Sequence, residues 1–390
     1  MGKSRNTFAI FLLAVGCVST ISKITVCAAL LLLIDYFMDR EQYHIRELFA
    51  EKIVINSCKV IGLAIGFFMV AAIVNCNIAG IKEAGHYFER IIPFFLVSIL
   101  IYKRENILLP LMLGACCGVL IVGATVLNSY IFEGMARPSG ILGQPNKLGG
   151  WAILILPFIA ACTYYYRNKL STKILGGAVS VLVVIVLFLS ASRGAIVGLA
   201  VMGLIGVLIF FRLKIKYIFT IILIFSVVSI GAYQLDVVGF QRSYDNERIL
   251  LWDSGVEMFF DHPLVGVGWN NWGVTYREDY ISPLAKEPRL VSPHNFILHY
   301  LDTVGIVGTS GIIFLFLSQI YCVVNNLYDQ NTLEPVVFSM LLCTIGMLVH
   351  GMVDVIFMNR FFMVLYSFLW GITCYYIMVM KKYFRDGNGR

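Results

Sequence analysis

The sequence predicts an all-α fold: a polytopic integral membrane protein of about 12 transmembrane helices, with one large extracytoplasmic loop that carries short amphipathic helices. Three observations predict it. Apolar residues make up 59% of the chain and charged residues 14%, with a mean hydropathy of +0.82, whereas a soluble domain is nearer a quarter charged. The 390 residues divide into apolar runs of helix-spanning length. Most of the bases fall in short gaps between those runs, so the net charge of +7 speaks for helix orientation and gives no sign of nucleic acid.

Taken in order, the apolar runs lie near 7–21, 23–38, 53–74, 87–102, 107–130, 148–166, 174–190, 194–211, 217–234, 297–323, 335–357 and 361–380. The first resembles a signal peptide, with Lys3 and Arg5 ahead of the apolar stretch. It lacks a small-residue cleavage site and reads as a retained span. Residues 7–38 could be one tilted helix or two, because Ser19, Thr20, Ser22 and Lys23 make only a weak break. With both ends in the cytoplasm, the inside gaps hold Arg40/Arg46/Lys52, Lys103/Arg104, Arg167/Lys169/Lys173, Arg212/Lys214/Lys216 and Lys381/Lys382/Arg385/Arg390. This is the distribution the positive-inside rule asks for, and it puts residues 233–296 outside. The chain reads as a single membrane domain, 1–390, with that loop inside it and no internal repeat. The ten cysteines avoid the loop and have no metal-ligand spacing, so no metal and no cofactor are expected.

Four segments at the outer face could carry chemistry. Arg137-Pro138-Ser139-Gly140 continues through Gln144-Pro145-Asn146 to Gly149, an irregular connection ahead of a helix start, where free N–H groups can meet an anion. Ser192-Arg193-Gly194 joins two apolar runs with almost no loop. An arginine costs about 2.5–3.5 kcal/mol at a helix centre on insertion scales and tends to face protein or a wet cavity. On the outer side it has no orienting role.

In the third segment, Arg248 and Trp252 open an amphipathic helix on the membrane face, with Ile249, Trp252, Val256, Phe259 and Phe260 as its apolar packing stripe. A cation at a helix start hints at a bound anion or a carboxylate partner. Asp261-His262-Pro263 and Gly266-Val267-Gly268 follow. The fourth segment is His294-Asn295, nine residues ahead of Gly305-Ile306-Val307-Gly308. His294 can move protons near neutrality. His299 lies well off its helical face, so a paired metal site is not expected. His350 and Asp354, four apart on one helix face, could form a buried polar pair or touch a substrate, with the structural reading favoured.

These segments, in this order and topology, resemble the O-antigen ligase and O-antigen polymerase superfamily of bacterial envelope glycosyltransferases, over about residues 130–310. The resemblance implies an enzyme of the inner membrane with its site on the extracytoplasmic side. It implies a polyprenyl diphosphate-linked glycan as donor and a glycan or lipid-glycan as acceptor, in surface polysaccharide assembly. His294 would be the general base, with Arg193 and Arg248 on the diphosphate. Arg137, Asn146, Asn295 and Trp252 would bind substrate. The motifs are shared by polymerases and ligases, and transfer to protein is the weaker third possibility. The alternative from another class is a transporter or lipid-linked oligosaccharide flippase. It would need ionisable groups deep in several spans, and the few candidates are Lys59, His299, Asp302, His350 and Asp354.

Overall fold

The structure, a computed structural model, describes residues 2–40, 49, 51–99, 107–212, 244–329 and 332–385. The expected span at 217–234, the start of the loop at 233–243, and Arg46, Lys103, Arg104, Lys214, Lys216 and Arg390 lie outside the described residues.

The architecture is helical, with one two-stranded hairpin (β1, Tyr328–Asp329; β2, Thr332–Leu333) among the described residues. Seven helices are long and apolar enough to cross a membrane: α3 (Lys52–Val74), α6 (Leu108–Ile131), α7 (Pro145–Tyr165), α8 (Leu170–Leu189), α9 (Arg193–Phe210), α12 (Phe296–Asn325) and Arg360–Val379 within α14 (Arg360–Arg385). Shorter apolar helices are Asn6–Ser19, within α1 (Gly2–Ser19), and α13 (Pro335–Gly351). The protein is therefore a multi-pass membrane protein, and among the described residues the count of long spans is seven rather than twelve.

The first apolar stretch is two helices. Thr20 adopts a left-handed backbone, φ +61°, which ends α1 before α2 (Ser22–Met38) begins. The two pack on each other, and the Asn6 amide donates to Asp35 at 2.7 Å, giving a buried carboxylate in an apolar helix the partner it needs.

The run expected at 87–102 is not one span. Lys82, Glu83, Glu89 and Arg90 make α4 (Ile78–Arg90) amphipathic, with Asn77 capping it through an acceptance from Gly80 N–H. The chain then turns at Ile91 into α5 (Ile92–Ile99), which packs on α14. Eight residues of this second helix are described, and residues 100–102 of the expected run lie outside the described residues.

The protein's centre is α7 and α14, whose windows are mostly buried, while α8 and α9 turn most of their apolar surface outward, as helices facing lipid do. Trp151 of α7 donates its indole N–H to Val18 O at 2.7 Å and ties α1 to this core.

The polar loop is folded. α10 (Tyr244–Asp261) leads to a short helix, α11 (Trp272–Thr275), and a π turn, Tyr276–Tyr280. Leu251, Met258, Trp272 and Tyr276 form a small core of their own, with the Trp272 and Tyr276 rings stacked at 4.9 Å. Of the apolar stripe, Ile249, Val256 and Phe260 are exposed and Trp252 and Phe259 half-buried, while the face buried within the loop is Leu251, Ser254 and Met258. The α11 turn supplies the partner surface and claims that second face.

One long-range junction fixes the loop on the bundle. Helix α12 breaks at Gly305, with φ +62° and ψ −168°, a conformation essentially reserved for glycine. A break strands carbonyls on one side and N–H groups on the other. The Pro263–Gly268 segment satisfies both: Val267 N–H donates to Asp302 O (2.8 Å) and Gly268 N–H to Thr303 O (3.0 Å), while Ile306 and Val307 N–H donate to Pro263 O (2.9 Å) and Leu264 O (3.1 Å). Trp272 adds an indole bond to the Asp302 carboxylate, 2.8 Å. The helix is thereby continued through a neighbouring loop.

Candidate functional site

The ends of five helices meet around one polar cavity of about 200 Å³. α7 and α9 begin there, α12 begins just beside it, and α8 and α13 finish there. The N-termini of α7 and α9 at one space favour an anion in it, through their N–H groups and dipoles. Ser192 heads α9 without a capping bond; its hydroxyl lies 3.4 Å from His350 Nε2 instead.

The cavity is lined by Arg137, Asn146, Arg193, Arg248 and His294, together with Glu247, Glu287, His350 and Asp354. Arg193 and Arg248, 55 positions apart in sequence, thus share one wall system. Arg193 opens α9 after the tight turn Ser190–Ser192, where Ala191 takes φ +47°. The close approach is possible because Gly194 faces Val353 and His350; a Cβ there would stand 2.4 Å from Val353 Cγ2 and 2.7 Å from His350 Cδ2. Arg137 braces the same turn through long contacts, 3.4 Å to Ser190 O and 3.5 Å to Ala191 O, and reaches Asn146 Oδ1 at 3.5 Å. Arg248 sits in the first turns of α10. Its neighbour Glu247 is buried and accepts from Lys286 and Glu287 N–H, closing that side of the loop over the cavity.

His294, like Ala191, has a left-handed backbone, at φ +51°. Such a conformation costs on the order of 1–3 kcal/mol and persists only where neighbours over-determine it. Both neighbours do. Trp252 donates its indole N–H to Pro293 O at 2.9 Å, and Asn295 caps α12 by accepting from Leu298 N–H at 3.1 Å. Trp252 and Asn295 are not among the residues lining the cavity; they flank His294 and hold it.

The His294 ring projects into the cavity with Nδ1 3.6 Å from Asp354 Oδ1, an ion-pair separation slightly long for a direct hydrogen bond. Asp354 is the hub of the polar wall. It accepts from the Asn146 amide at 2.7 Å and from Val355 N–H at 2.7 Å. Burial works to raise its pKa, but the imidazoles of His294 and His350 and the Val355 N–H outweigh it and hold the carboxyl below the usual range. Asn146 therefore links Arg137 on one side to Asp354 on the other.

His350 and Asp354 differ from their expected role as a pair on one helix face. Helix α13 stops at Gly351, and Asp354 lies in the turn beyond it, so both reach the cavity from a helix end. Their i, i+4 spacing near a span terminus was the available sign. Nothing local in the sequence marks Glu247 or Glu287. Among the described residues no group of three or more His, Cys, Asp or Glu could hold a metal ion. The His299 ring is buried between Trp269 and Trp272 in α12, outside the lining of the cavity.

Residues 178–313 match the family described as O-antigen ligase, and no curated protein matches the chain. The resemblance read from the motifs is borne out over that segment. The matched residues carry Arg193, Arg248 and His294. Arg137, Asn146, His350 and Asp354 lie outside the match and line the same cavity.

Proposed function

We propose that the protein is a membrane glycosyltransferase that passes a polyprenyl diphosphate-linked glycan to an acceptor hydroxyl, as an O-antigen polymerase or ligase of the bacterial inner membrane with its site on the extracytoplasmic side. The observation that carries this reading is the meeting of Arg137, Arg193, Arg248 and His294 in one cavity at the mouth of the helix bundle. Residues 233–296 form the extracytoplasmic loop of the single membrane domain in this reading.

The chemistry follows from the residues. The acceptor oxygen forms a bond to the anomeric carbon as the bond to the lipid diphosphate breaks, and negative charge collects on the leaving diphosphate. Arg193 and Arg248 are suited to that charge, since the guanidinium fork meets phosphate oxygens bidentately, and Arg137 with the start of α9 adds to the field. The His294 imidazole takes the acceptor's proton. Asp354, fixed by Asn146 and Val355, orients the ring and steadies the imidazolium that results. Asn295 and Trp252 serve by holding His294 in its left-handed backbone.

Purified protein incubated with polyprenyl diphosphate-linked repeat units tests the proposal. A ladder still attached to lipid means polymerase. Transfer to a second glycan or lipid-glycan acceptor means ligase. Movement of the intact donor across a vesicle, with no new glycosidic bond, means flippase and ends the proposal.

A further inference from the structure

A second and larger cavity, about 740 Å³ against about 200 Å³, lies at the far ends of the same helices. It is bounded by the last turns of α7, the end of α9, the β hairpin and the first turns of α13. Its volume falls in the range of small-molecule sites. Since α7 has 21 residues, its two ends, one at each cavity's mouth, lie roughly 30 Å apart, the thickness of a bilayer core.

The walls are divided by chemistry. The deep part is apolar, with Pro157, Ala160 and Ala161 of α7 facing Phe338 and Leu342 of α13. Small side chains on α7 leave the groove open. The mouth carries Tyr164, Tyr165, Arg167 and Asn168. The Arg167 guanidinium lies over the Tyr164 ring, 4.4 Å from its centroid, and among the described residues no carboxylate is within ion-pair distance of it. Lys169 and Lys173 follow within two turns, and Arg212 stands at the same end of the bundle, so the mouth sits in a positive field. Glu334, the one acid in the wall, is buried and accepts from Tyr376 at 2.8 Å.

We propose that this cavity binds an anionic phospholipid of the leaflet opposite the polar site, with an acyl chain between α7 and α13 and the phosphate at Arg167. The layout fits one molecule with an oily tail and a charged head. Basic pockets between spans on the positively flanked side recognise anionic headgroups, and the tyrosines match the headgroup level. Water in the apolar depth would lack hydrogen-bond partners.

The test is lipid retention by the full chain, purified in detergent and read by native mass spectrometry after exposure to equal phosphatidylglycerol and phosphatidylethanolamine. It needs no glycan transfer, so it stands or fails apart from the proposed reaction. Wild type should keep phosphatidylglycerol about tenfold over phosphatidylethanolamine. Arg167→Gln, at an exposed position, should abolish that preference. Ala160→Trp, also at an exposed position, should cut retention of both lipids about tenfold by filling the groove. Equal retention of the two lipids by wild type, or phosphatidylglycerol retention unchanged in both variants, overturns the site.

Discussion

The two ends of this helix bundle use the same kinds of residue in opposite ways. At the end where α7 and α9 begin, charged groups point into a small cavity, and the backbone is forced left-handed at Ala191 and His294. Glu247 and Asp354 there are buried and hydrogen-bonded. At the other end Arg167 and Lys169 on the turn and Lys173 in the first turn of α8 are exposed, with Arg167 and Lys169 resting on tyrosine rings. The difference teaches that charge alone does not mark a site in a membrane protein. What separates the two ends is polar groups bound to one another around one cavity.

The sharpest way to break that comparison is to ask on which side of the membrane each end lies. A cysteine at Glu257, exposed on α10, should react with a membrane-impermeant thiol reagent in intact cells or spheroplasts, and one at Asn168 should react only after permeabilisation. The signal is all or none against a background strain with Cys27 and Cys76 replaced, since both are exposed. The reverse pattern would invert the topology.

Next in size is the role of the arginines. Arg193→Ala and Arg248→Ala should each lower transfer roughly 10²–10³-fold at normal expression, the usual cost of losing one donor to developing charge. Lysine should fall well short of full rescue because it lacks the planar fork. Wild-type yields from both alanine variants would exclude them from the diphosphate. The same change at Arg167 should leave transfer untouched.

The Gly305 junction should show in stability. Alanine there would bring its Cβ to 2.3 Å from the Leu264 carbonyl in a backbone that disfavours any side chain, a loss on the order of 3 kcal/mol. Thermal unfolding in detergent measures it, and an unchanged midpoint would mean that the helix break is not held by the loop.

A smaller effect concerns Asp354. Its lowered folded pKa means that the stability it contributes is present above the ordinary carboxylate pKa, near pH 4, and is lost as pH falls through the folded value. Asp354→Asn should flatten the acid side of the stability profile. An unchanged profile would remove Asp354 as the anchor of His294.

Much of the site was legible in the sequence because its members sit at span boundaries, where a polar residue stands out from an apolar background. Arg193 and His294 are of this kind. The rest depended on distant partners. Nothing near Gly305 announces that Pro263 and Leu264 will accept from the helix beyond the break. The buried face of α10 could not be chosen without knowing that Trp272 and Tyr276 would cover Leu251 and Met258. His350 and Asp354 read as a structural pair because a helix was expected through both, and α13 ends between them. The break between α4 and α5 was hidden by the apolar residues on either side of a few charges.

The central claim is that His294 takes the acceptor's proton while the arginines hold the donor. The most direct measurement takes transfer and donor-lipid binding on one purified His294→Ala sample. The account predicts that most turnover is lost while donor binding stays near wild type. Retained activity per folded molecule would contradict it and leave His294 as no more than the residue that starts α12.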